Sequence, residues 1–142
     1  MTTSSQDLDA IDAGGEAREV VLVVDDDKDV RNLVCRFLED AGYETLSAMN
    51  GDDALRIWRA SIRPIRLLVC DVVMPGITGR ELAEAIDRLQ PGIGVLFITG
   101  SEPPLIPAEH RLRWDCLTKP FKQPVLARKV RALLAASTTA GA

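Results

Sequence analysis

The sequence predicts an α/β fold, a (βα)5 doubly wound five-stranded parallel sheet, on three observations. Dense β-branched and aliphatic runs stand at positions 20–24, 66–70 and 93–98, and such runs suit strands buried on both faces. Segments with apolar residues at helical spacing lie between them. Strand and helix patterns alternate about five times, and that alternation calls for a parallel sheet with helices on both faces.

The elements follow in order. A first strand is expected over 20–24. A helix over 29–41 carries Val30, Leu33, Val34, Phe37, Leu38 and Ala41 on one side, and Gly42 is placed to stop it. A weaker strand covers 44–48. A helix over 52–60 turns Ala54, Leu55 and Trp58 inward. The third strand covers 66–70, and a helix over 79–89 buries Leu82, Ala83, Ile86 and Leu89 before Pro91 and Gly92. The fourth strand covers 93–98 and a short fifth 114–117. The last helix, 124–135, starts on Pro124, acceptable in a first turn, and buries Val125, Leu126, Val130, Leu133 and Leu134. Domain boundaries follow: a flexible tail at 1–18, one folded domain at 19–136 and a disordered end at 137–142.

Composition narrows the function. The chain has 142 residues, 46% of them hydrophobic, and a net charge of −4, enough for one core and without the basic excess of a nucleic-acid binder. No apolar run nears the roughly 20 residues that span a bilayer, and the polar, acidic start is no secretory signal. Cys35, Cys70 and Cys116 lie apart among apolar residues, which suits buried, reduced thiols. A cytoplasmic location with no membrane contact is the expectation.

In open parallel sheets, ligands bind beyond the carboxyl ends of the strands. Here the first strand ends in Asp25, Asp26 and Asp27, the third in Asp71, the fourth in Thr99, and the fifth in Lys119 and Pro120. Converging carboxylates repel one another unless a cation intervenes. The hard oxygens of Asp25, Asp26 and Asp71 suit Mg²⁺. One carboxylate could then act as a nucleophile toward phosphorus, with the Lys119 ammonium and the Thr99 hydroxyl meeting the phosphoryl oxygens. Gly100 leaves room for that group. Asp27 reads as a helix cap without a ligand role.

VLVVDDD at 21–27, LLVCDVVMPGITG at 67–79, LFITG at 96–100 and LTKPF at 117–121 resemble the four signature segments of response-regulator receiver domains in two-component signalling. DxxMPGxxG after an apolar strand is a strong motif, and all four in this order are specific. The resemblance covers about 19–135 and implies a flavodoxin-like sheet, similar to single-domain chemotaxis regulators. It implies that Asp71 is the phospho-acceptor. Asp26 is a direct Mg²⁺ ligand, with Asp25 assisting and the Val73 carbonyl as third protein ligand. Thr99 and Lys119 contact the phosphoryl group, and the Lys119–Pro120 peptide is cis. Val73 and Ser101 tune phosphoryl loss, and the apolar Val73 predicts a long-lived phosphoryl state. The donor is a sensor histidine kinase or a histidine phosphotransfer protein. The chain itself turns over no separate substrate.

Two departures stand out. Pro103, Pro104 and Pro107 fall where a fourth helix normally runs, so that helix is expected to be short, shifted or replaced by a loop around 105–113. Cys116 stands where many such domains carry an aromatic ring that reports the switch. His110 reads as a surface residue, and Met74, Trp58 and Trp114 as packing. With no DNA-binding segment after the last helix, output is expected through a downstream protein target or phosphorelay, without direct DNA binding, and a homodimer is left open. An aspartyl phosphatase remains an alternative, although such enzymes carry a second Asp at the position of Val73. A never-phosphorylated receiver-like binding module is a third reading, kept open by the broken fourth helix.

Overall fold

The computed structural model describes residues 18–141. Five strands alternate with four α-helices: β1 (Val20–Val24), α1 (Lys28–Asp40), β2 (Glu44–Ala48), α2 (Gly51–Ala60), β3 (Ile65–Asp71), α3 (Gly79–Leu89), β4 (Gly94–Thr99), β5 (Trp114–Thr118) and α4 (Gln123–Gly141). The strands pair in the order β2-β1-β3-β4-β5, and every pairing is parallel. This is the doubly wound sheet expected. All five residues of β1 and all six of β4 are buried, the burial that two covered sheet faces impose.

Side chains alternate across each strand, so each run feeds two cores. Leu22, Val24, Leu68, Cys70, Val95 and Phe97 face Ala54 of α2 and Leu82, Ala83 and Ile86 of α3. Val21, Val23, Leu67, Val69, Leu96 and Ile98 face Val34 and Leu38 of α1 and Leu126, Val130, Leu133 and Leu134 of α4. Trp114 and Met74 are buried in the first core, and Trp58 packs against it.

Local signals set the helix ends. Asp27 caps α1, its side chain accepting from the Asp29 and Val30 N–H groups, as expected of it. Thr78 and Glu81 form a reciprocal capping box at α3. Gly42 has φ +100°, a left-handed conformation that glycine adopts at little cost, and its N–H satisfies the Glu39 carbonyl.

The proline-rich stretch replaces a helix with a loop and one 3₁₀ turn, Ala108–His110, as its three prolines predict. His110 corrects the expectation of a surface residue. It is half-buried, with its ring stacked on Trp114 at 3.8 Å and 5°. In this way the loop covers the sheet face that a helix would otherwise cover. Leu89 is 51% exposed because α3 ends as it leaves the core. Of the cysteines, only Cys70 is fully covered; Cys35 and Cys116 are half-buried, and all three are free. The helix α4 continues to Gly141, although its apolar stripe, and the predicted helix, end near 135. The tail at 1–17 lies outside the described residues.

Candidate functional site

Asp25 follows β1 directly, and its N–H donates to the Ala48 carbonyl at 3.2 Å. That bond extends the parallel ladder one residue past the strand and carries the carboxylate into the sheet edge. Asp25 is 3% exposed. Its Oδ1 accepts from the Asp27 N–H at 2.9 Å, and its own carbonyl accepts from Arg31 Nη1 at 2.7 Å. Asp26, one residue on, is exposed.

Asp71 ends β3. The Val72 N–H still pairs with the Ile98 carbonyl at 3.2 Å, and the Val72 carbonyl accepts from the Gly79 N–H at 3.0 Å. The loop between them therefore folds tightly back, turning at Gly76, where φ is +82°. A Cβ on Gly79 would lie 2.1 Å from the Asp71 carbonyl oxygen, so this close approach requires glycine.

Thr99 ends β4, 2% exposed, with its Oγ1 accepting from the Ser101 N–H at 3.1 Å. Gly100 leaves open space, since an added Cβ there meets nothing within 4 Å. The Lys119 N–H donates to the Thr99 carbonyl at 2.8 Å, and the Lys119–Pro120 peptide is cis, as the resemblance implies. The ammonium of Lys119 stands 3.8 Å from Asp25 Oδ2 and 3.9 Å from Asp71 Oδ2. These are ion-pair separations, longer than hydrogen bonds, so the lysine bridges the two acids without closing on either.

Asp25, Asp26 and Asp71 each offer a carboxylate oxygen within 4.8 Å of the others. Burial pushes the Asp25 carboxyl above its ordinary range. The Asp27 N–H works against that rise, the Asp71 charge adds to it, and Lys119 and Asp26 exert smaller, opposed effects. Three hard anionic ligands with one only partly neutralising lysine fit a hard divalent cation such as Mg²⁺, which binds through carboxylates and keeps waters and phosphate oxygens as its other ligands.

The structure thus brings together Asp25, Asp26, Asp71, Thr99 and Lys119 at one sheet edge. Val73 stands beside them, 72% exposed, its N–H 3.4 Å from Asp71 Oδ1. Cys116 lies away from this edge, paired in register with Phe97, and burial pushes its thiol pKa up. Sequence reasoning missed Arg31, whose signal was a cation near the start of α1, where helices disfavour positive charge. It also missed the contact at Gly79, whose signal was the glycine eight residues after the acceptor.

Comparison with known proteins agrees with this geometry. A family model described as the response regulator receiver domain matches residues 21–131. The response regulator receiver protein CpdR of Brucella abortus is 32% identical over 119 residues, covering 82% of this chain and 98% of CpdR. The uncharacterized transcriptional regulatory protein YrkP of Bacillus subtilis is 37% identical over 116 residues, 80% of this chain but 48% of YrkP; the chain spans about half the length of several such relatives. Among solved structures, the chemotaxis protein CheY4 of Vibrio cholerae has a TM-score of 0.73 at 29% identity, covering 82% of this chain and 99% of that one. The response regulator TrrA of Thermotoga maritima, solved in complex with Mg²⁺ and BeF, has a TM-score of 0.71 at 29% identity, covering 81% and 98%. Among the described residues no helix is long and apolar enough to cross a membrane. The fold, the acid cluster and the matched segments together place this chain in the response regulator receiver domain family of two-component signalling, whose members are switched by phosphorylation of an aspartate.

Proposed function

We propose that Asp71 is the phospho-acceptor and that a histidine kinase or histidine phosphotransfer protein is the donor. The observation that carries this reading is the position of Asp71 at a strand end. It has Lys119 on one side at 3.9 Å and two further carboxylates within 4.8 Å. An Asp71 carboxylate oxygen attacks the phosphorus of the donor phosphohistidine. The new O–P bond forms as the N–P bond breaks, and the bonding pair returns to the imidazole nitrogen, which takes up a proton. Lys119 and the Thr99 hydroxyl meet the oxygens of the group in transit, and the open space at Gly100 admits it.

Asp26 and Asp71 would hold Mg²⁺ directly, with the Val73 carbonyl as a third ligand and Asp25 assisting. Mg²⁺ bound there supplies positive charge against the phosphoryl oxygens. Asp25 keeps the Asp26 carboxylate company in a charge cluster that Lys119 alone does not neutralise. Return to the resting state is hydrolysis of the acyl phosphate by water, giving the Asp71 carboxylate and inorganic phosphate. Output then runs through contact with a downstream protein, a second copy, or onward transfer to another histidine. Ser101, bonded to Thr99, would with Val73 tune loss of the phosphoryl group, and Cys116, on the neighbouring strand, would tune the coupling to that output.

Val73 leaves an apolar side chain beside the acceptor, with nothing to orient the attacking water. Val73→Asn is expected to shorten the phosphoryl lifetime roughly fivefold, about the worth of one hydrogen bond in the transition state. Loss of label in time-resolved intact mass measures it, and an unchanged lifetime contradicts the role given to Val73.

Incubation with acetyl phosphate and Mg²⁺ tests the acceptor. The intact mass is expected to rise by one phosphoryl group in the wild type and not in Asp71→Asn. No gain in the folded wild type would favour a binding module that is never phosphorylated.

A further inference from the structure

Asp25 is held at three points, two on its backbone and one on its carboxylate, and one of the backbone points comes from a residue the phosphoryl chemistry does not use. Arg31 Nη1 donates to the Asp25 carbonyl at 2.7 Å. The other two are the Asp25 N–H bond to Ala48 and the Asp27 N–H bond to the Asp25 carboxylate. The helix α1 begins at Lys28, so Arg31 sits in its first turn. A cation there opposes the helix dipole, which favours anions at that end. What offsets the cost is the acidic surroundings. Asp53, at the start of α2, also feels the Arg31 charge, and its Oδ2 accepts from the Met49 N–H at 3.2 Å.

The peptide unit is planar. A fixed Asp25 carbonyl oxygen fixes the plane that also contains the nitrogen and Cα of Asp26. That plane fixes where the Asp26 nitrogen and Cα stand, and leaves φ of Asp26 as the one rotation that then directs its side chain. Asp26 is exposed, and among the described residues no hydrogen bond holds its carboxylate, so the backbone is what aims it.

We propose that Arg31 is a positioning residue for the metal-binding carboxylates: by clamping the Asp25 carbonyl it keeps Asp25 and Asp26 turned toward Asp71. This rests on the reading of those acids as Mg²⁺ ligands. Residues that orient metal ligands from behind are typically worth about 10–100-fold in affinity.

The test is a calorimetric Mg²⁺ titration of the full chain, with melting in EDTA to confirm folding. Arg31→Ala is expected to bind Mg²⁺ roughly tenfold more weakly, at the low end for an outer partner. Arg31→Lys, which keeps the charge on a shorter donor, is expected to fall between it and the wild type. Arg36→Ala, an exposed arginine of the same helix, is expected to bind as the wild type does. If Arg31→Ala does not fold, weaker binding in Arg31→Lys than in the wild type supports the role, and equal binding overturns it. Wild-type affinity in folded Arg31→Ala, or an equal loss in Arg36→Ala, would overturn the positioning role while leaving the metal site intact. An absence of Mg²⁺ binding by the wild type would overturn the metal reading, and this role with it.

Discussion

Gly79→Ala is expected to destabilise the protein by about 3 kcal/mol, the upper part of the range for overpacking. The added Cβ would sit 2.1 Å from the Asp71 carbonyl oxygen and 3.0 Å from its carbon. Both obstacles are backbone, so no side chain can swing aside. Relief requires either that the loop over 72–78 open, breaking the Gly79–Val72 hydrogen bond, or that the end of β3 move. Either change displaces Asp71, so phosphoryl uptake should fall with stability. Urea unfolding measures the first effect. Gly100→Ala is the control: its Cβ meets nothing within 4 Å, and its cost should stay within about 0.5 kcal/mol, the usual range for a surface change. Equal costs at the two glycines would contradict the tight return of the loop.

Asp26→Asn is expected to weaken Mg²⁺ binding by about a hundredfold or more, since loss of a direct ligand should exceed the 10–100-fold typical of outer partners. Asparagine keeps the shape but removes the charge, and Asp26 is exposed, so the fold should survive. In the wild type, Mg²⁺ at 100 times its dissociation constant should add about 2.7 kcal/mol of stability, and that gain should vanish in the variant. Acidity should act in the same direction. Burial raises the Asp25 carboxyl above its ordinary range, so protons compete with the metal there before ordinary carboxylates titrate. Without metal, the charged Asp25 is a cost to the folded state above that raised value, and the cost fades as pH falls through it toward the unfolded value. Stabilisation by Mg²⁺ should therefore be greatest near neutral pH and shrink as pH falls through the Asp25 transition. A gain independent of pH between neutrality and the ordinary carboxylate range would contradict it.

Much of this was legible in the chain because the signals are local. Runs such as those in β1 and β4 demand two covered faces, and a parallel sheet puts the residues after them on one edge. Asp25, Asp71, Thr99 and Lys119 could be placed together from that rule alone. Asp27 was readable as a cap because its side chain acts within three residues. The less legible features depend on contacts across the fold. His110 is polar, and only the packing of the proline-rich loop shows its ring lying flat on Trp114. Leu89 fits the helical stripe, yet its turn of α3 extends past the core. Arg31 looks like one more solvated cation until the path of the chain after β1 brings the Asp25 carbonyl to it.

The most direct measurement is the chemical location of the phosphoryl group. Borohydride reduction after phosphorylation converts an acylated aspartate to homoserine, which peptide mass spectrometry places in the chain. Homoserine at position 71 is the predicted result. Homoserine at Asp25 or Asp26, or a label resistant to borohydride, would contradict the assignment of Asp71 as the acceptor.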